Sequence, residues 1–154
     1  IESCVNNSNR DIVRIKNTSK FALHVDLHPH NLLIHKDQCS LLDIDSVRIC
    51  HWPSAIGFSI FKLLRQSLTQ TDFDKRFEKN AKKFISTITE NIFEDISGDI
   101  LFIGAKIEIL RRILVILKGN EGENVSPWNK VLKIQIMALR ELNLIKDLLI
   151  QDSN

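Results

Sequence analysis

His24-Val25-Asp26-Leu27-His28-Pro29-His30-Asn31, followed by Leu41-Leu42-Asp43-Ile44-Asp45, decides how this chain is read. The stretch supplies, in order, a carboxylate that can accept a proton, then an amide and a second carboxylate whose oxygens suit a hard divalent cation. An alcohol that is to act as a nucleophile needs its hydroxyl oriented and its proton taken by an acid that is ionised near neutral pH. An ordinary aspartate such as Asp26 meets that need.

Around these residues the letters predict a compact local structure. Phe21-Ala22-Leu23 reads as a short buried strand entering a loop, and residues 31–35 and 39–44 read as two strands joined by Lys36-Asp37-Gln38. Antiparallel pairing of those strands is expected to set Asn31, at the start of one, beside Asp43, near the end of the other, so that one metal ion touches both. Asp45, two residues beyond Asp43, is expected on the same strand face as a supporting acid.

The spacing His-x-Asp-x-x-x-x-Asn, with Leu27-His28-Pro29 inside it and Leu42-Asp43-Ile44-Asp45 after a hairpin, resembles the aminoglycoside phosphotransferase and choline kinase-like family. Val25 stands where protein kinases carry Arg. The resemblance spans Phe21 to Ser46. It implies an α+β, mostly α fold: a protein kinase-like C-terminal lobe, with a catalytic-loop hairpin followed by about four helices. On this reading residues 1–154 form a single lobe, with the catalytic loop and metal hairpin at 21–46 and a helical acceptor subdomain at 53–150. The amino-terminal nucleotide lobe, a partner for this one, is expected outside the sequence. The implied roles are Asp26 as catalytic base, Asn31 and Asp43 as ligands of Mg2+, and His24 as an orienting residue bonded to loop backbone. His28 and His30 would line the cleft mouth and His35 would lie on a strand. ATP is the implied co-substrate and a small hydroxyl-bearing metabolite the acceptor.

Candidates for gripping that acceptor are polar or aromatic residues soon after the metal strand: Asp45, Arg48, His51, Trp52, Arg65 and Gln66. A core or lid position competes with this role for Trp52, and a surface ion pair competes for Arg65. One departure counts against an aminoglycoside acceptor, because Ile56-Gly57-Phe58-Ser59-Ile60 stands where many family members have a Tyr-Asp-Leu-Ala-like phrase.

Other classes are weighed on the same letters. His24, His28, His30 and His35, with His51, Cys39 and Cys50 nearby, are the residue types of a zinc-dependent hydrolase, although none of the three cysteines stands in a tight Cys-x-x-Cys pair. A catalytically inactive kinase-like binding module is a second alternative. A net charge of +2 on 21 basic and 19 acidic residues carries no nucleic-acid signal. The cations of Lys75-Arg76, Lys79 and Lys82-Lys83 alternate with Asp72, Asp74, Glu78 and Glu90 as on a solvated helix face, and Arg111-Arg112 read as residues that keep an apolar stretch soluble. With no disulfide framework, secretory leader or membrane-spanning run, a reducing cytoplasmic setting is expected.

After Ser46 the period shifts from strand to helix. Ile56, Ile60, Leu63, Leu64 and Leu68 predict a helix that starts at Pro53-Ser54, and Thr71-Asp72-Phe73-Asp74 offers a capping box for a second helix ended by Ser97-Gly98-Asp99. A third carries Ile100, Ile103, Ile107, Leu110, Leu114 and Leu117 to Gly119-Asn120. Ser126-Pro127 opens a fourth, with Val131, Ile134, Ala138, Leu142, Ile145 and Leu149 as its stripe.

Overall fold

The computed structural model describes residues 2–68, 82–83, 85–87, 90, 99–119 and 128–150. The predicted second helix, at 72–96, falls almost entirely outside them. The described elements are helix α1 (Glu2–Lys16), strand β1 (Lys20–His24), strands β2 (Leu32–His35) and β3 (Gln38–Leu41), strand β4 (Val47–His51), and helices α2 (Trp52–Leu68), α3 (Ile100–Gly119), α4 (Trp128–Leu144) and α5 (Lys146–Leu149). The fold is α+β and mostly helical, as expected. Among the described residues no helix is long and apolar enough to cross a membrane.

Contact between α2 and α3 dominates the packing, and two glycines set its closeness. A Cβ on Gly57 would run into the Leu101 carbonyl, and one on Gly104 into the carbonyl of Pro53. The two backbones therefore lie almost against each other, with Trp52, Phe58, Ile60, Phe61, Leu64, Leu101 and Ile109 buried around them. Ala138 and Leu142 of α4, with Ile145, close the core on one side. On the other side α1 is tied to α3 by ion pairs Arg14–Asp99 and Lys106–Asp11.

The strands form two separate antiparallel pairs. β2 and β3 make the predicted hairpin, with Leu32 opposite Leu41 and His35 opposite Gln38. Its turn is the two residues Lys36-Asp37, and Lys36 takes the positive φ of 51° that tight hairpins require. β1 pairs with β4, Phe21 opposite Cys50, so the two pairs frame the loop between His24 and Asn31.

Several expectations need correction. Neither α1 nor β4 was anticipated, whereas α2 starts at Trp52, one residue before the expected Pro53-Ser54, and ends at the expected Leu68. Phe21 is exposed, because β1 belongs to a two-stranded sheet whose outer face none of the described residues covers. β3 ends at Leu41, since Asp43 adopts a left-handed conformation (φ 56°, ψ 53°) that extended chain cannot accommodate, and Ile44–Ser46 follow as a 3-10 turn. Asp45 therefore shares no strand face with Asp43. On α3 Ile100 and Ile103 of the expected stripe are buried, together with Leu101, Gly104, Ala105, Glu108, Ile109 and Ile116, while Leu114 and Leu117 are exposed. So many apolar residues surround this helix that periodicity alone could not select its inner face. On α4 Ile134 is exposed, and a turn at Ile145 separates α4 from α5.

Candidate active site

The loop after β1 is knitted to the hairpin by two side chains. The backbone N–H of Asp26 donates to His24 Nδ1 (3.3 Å), which leaves the ring proton on Nε2, where it faces the Leu42 carbonyl at 3.1 Å. Asn31 Nδ2 donates to the Asp26 carbonyl (3.0 Å), and the Asn31 carbonyl accepts from Leu42 N–H (2.9 Å). Asp26, Asn31 and the residue preceding Asp43 thus belong to one hydrogen-bonded network. Because Asn31 spends its amide nitrogen on the loop, its amide oxygen is the atom left for a ligand. Asp43 lies exposed at the hairpin end and accepts from Ser46 Oγ (2.7 Å).

Two cations that sequence reasoning missed converge on Asp26. Lys62 Nζ of α2 donates to Asp26 Oδ1 at 2.7 Å, and Arg112 Nη2 of α3 lies 3.0 Å from the same oxygen while also donating to the Val25 carbonyl. The Phe58 ring underlies both, with Arg112 Cζ 4.3 Å and Lys62 Nζ 5.4 Å from its centroid. Buried Glu108 fixes the arginines from behind: it accepts from Arg112 Nε (2.9 Å) and, through both of its oxygens, from Arg111. Arg112 is therefore an inward-reaching anchor and not simply a residue that keeps α3 soluble.

This environment keeps Asp26 ionised. Partial burial pushes its carboxyl up, but the Lys62 hydrogen bond and the charges of Lys62, Arg112 and His28 outweigh that and hold it below the usual carboxylate range. With Oδ1 taken by both cations, Oδ2 has among the described residues only His28 Nε2, at 3.6 Å, as a neighbour. Burial, followed by the Lys62 charge, lowers the His28 pKa despite Asp26. Burial lowers that of Lys62 against the pull of Asp26.

Beside Asp26 opens a cleft of about 320 Å³ whose wall includes Ser46, Arg48, Arg111, Arg112, Trp128 and Gln135. Of the acceptor candidates, the structure brings Arg48 here. His28 and His30 stand edge to face beyond the carboxylate, 5.4 Å between centroids. His51 faces the other way, its Nδ1 2.8 Å from the Thr18 carbonyl. Trp52 is a core residue at 1% exposure, and the tryptophan in the cleft is Trp128. Arg65 is paired with Glu141 across α2 and α4, the ion-pair alternative weighed for it. Asp45 is exposed on the 3-10 turn, and the Gln66 side chain lies outside what the structure describes.

The donor set suits magnesium better than zinc. Asn31 and Asp43 offer hard oxygens, and magnesium completes its shell from phosphates and water. No three His, Cys, Asp or Glu among the described residues gather around a common point. His24 has both ring nitrogens engaged by backbone, His35 and Cys39 are exposed on the hairpin, and burial pushes the Cys50 thiol up.

Comparison of the chain with protein-family models, with curated proteins and with solved structures returned no match. The functional reading therefore rests on the residues themselves.

Proposed function

We propose that this chain carries the catalytic and acceptor half of a small-molecule kinase, transferring the terminal phosphoryl group of ATP to an alcohol. The observation that supports it is the network joining Asp26, Asn31 and Leu42-Asp43 through His24. It ties the base to one oxygen ligand, Asn31, and to Leu42, the neighbour of the other, Asp43, which suits in-line phosphoryl transfer. Asn31 and Asp43 are the residues that would hold Mg2+. Bound there, the ion would neutralise charge on the phosphates.

The chain's own residues then have distinct tasks. Asp26 Oδ2 accepts the hydrogen bond of the acceptor hydroxyl, orients the oxygen towards phosphorus and takes the proton as the new P–O bond forms. Lys62 and Arg112 fix the carboxylate in one rotamer and keep it ionised. His24 holds the loop against the hairpin, so base and ligands move as one body.

The test is Asp26→Asn in the full-length protein. Phosphoryl transfer should fall at least about a hundredfold, the scale of a lost general base, while Mg-ATP affinity changes little. Transfer at the parent rate would remove Asp26 from this role.

A further inference from the structure

The wall of the cleft opposite Asp26 is cationic, and its cations are partly unspent. Arg48, on β4, is exposed and pairs with no carboxylate among the described residues. Arg111 gives Glu108 its Nε and one Nη2 N–H (both 2.7 Å), which leaves its Nη1 N–H groups outside that pair on a half-exposed side chain. Arg112, between Arg111 and Asp26, likewise keeps its Nη1 donors. Across the same cleft the buried Gln135 side-chain oxygen has no hydrogen-bond donor among the described residues, and Trp128 contributes an aromatic edge. A buried acceptor without a donor is costly, and a ligand hydroxyl or N–H would satisfy it.

These features specify a ligand. Guanidinium groups whose orientation is fixed in advance recognise oxyanions through paired N–H donors, and a cationic alcohol would meet like charge on this wall. A cleft of about 320 Å³ is at the small end of ligand sites, so the ligand is a small metabolite. We propose that the acceptor is an anionic alcohol, a hydroxy acid or a phosphate monoester bearing a free hydroxyl. Its oxyanion lies on Arg48 and Arg111, and a donor group of the ligand meets Gln135. This deepens the kinase reading and rests on it for the word acceptor, but the oxyanion site stands on the arginines alone.

The experiment is calorimetric titration of the full-length protein, without nucleotide, with three probes: glycolate, glycerol 3-phosphate and choline. One of the two anions should bind, its affinity should fall with added salt, and choline should not bind. Which anion binds identifies carboxylate or phosphate as the recognised group. Arg48→Gln and Arg111→Gln should each weaken that anion about tenfold or more with an unchanged circular dichroism spectrum, the loss expected of a charge-assisted hydrogen bond. Arg48 is exposed, so its substitution leaves the fold intact, and in Arg111→Gln the buried Glu108 keeps Arg112 as its partner. Choline binding, or anion binding indifferent to both substitutions, overturns the proposal. The two readings fail separately: anion binding without phosphoryl transfer keeps this site and removes the kinase, whereas transfer to choline unaffected by Arg48→Gln keeps the kinase and removes this site.

Discussion

The hairpin region and the helical layer are stabilised by opposite means. Between Lys20 and His51 the chain buries little: Ile34 and Ile49 are 72% and 78% exposed, and the loop is organised by His24, Asn31 and backbone hydrogen bonds. α2 and α3 instead meet over side chains at or near zero exposure, with two glycines letting carbonyls approach. The candidate site lies where hydrophobic stabilisation is weakest, so its loop depends on the helices for support. That support is transmitted through Lys62 and Arg112, the side chains that reach from each helix to Asp26.

The comparison breaks most visibly at the helix contact. Gly104→Ala sets a methyl group against the Pro53 backbone, an obstacle that no rotamer change relieves, so the helices must separate. Overpacked cores typically lose about 1–3 kcal/mol, and a backbone clash is expected to cost at least the upper figure. Urea unfolding should show a lower midpoint at an unchanged slope. A stability equal to the parent's would mean that the α2–α3 approach is looser than the geometry states.

A smaller effect sharpens the link between the regions. Lys62→Met removes a hydrogen bond and a charge from Asp26 but retains a stem that packs on Phe58. The Asp26 pKa, now held down, should rise, because burial remains and only the charges of Arg112 and His28 still oppose it among the described residues. The His28 pKa should rise as well, since the Lys62 charge that lowers it is gone. The sign for stability follows: with its folded pKa depressed, Asp26 contributes stability above its unfolded pKa and loses it as pH falls through the lower folded value. In Lys62→Met that contribution shrinks, and its loss begins at higher pH. NMR titration of the Asp26 carboxyl and the His28 ring measures both shifts; a His28 pKa that falls would contradict the arrangement.

What could be read in the letters follows the same division. The hairpin was legible because it is local: its two strands are joined by a two-residue turn, and His24, Asp26, Asn31 and Asp43 lie within twenty positions of one another in the sequence. Lys62 and Arg112 were not, because they meet Asp26 and Val25 across 36 and 87 positions of chain. A signal did exist. Lys62 is the single charged residue from Trp52 to Leu64, and a lone cation in so apolar a helix calls for a buried carboxylate. The exchange of Trp52 for Trp128 in the cleft had no such signal, since both are flanked by Pro and begin helices. Which tryptophan is covered depends on how α2 and α4 pack, which neither local sequence records.

The smallest expected effect tests the other half of the contrast. Ile49 sits in the middle of β4, opposite Ala22, and is 78% exposed, so replacing it with Thr removes almost no buried surface. Thr keeps the β-branched shape that strands favour, and its one added hydroxyl is not forced away from water. Stability should change by no more than about 0.5 kcal/mol, against the much larger loss at Gly104. Chemical denaturation of the full-length protein decides the matter. A loss above about 1 kcal/mol would show that this face of the sheet is covered in the folded molecule. The hairpin region would then owe its rigidity to burial as the helices do, and Lys62 and Arg112 would no longer be its principal supports.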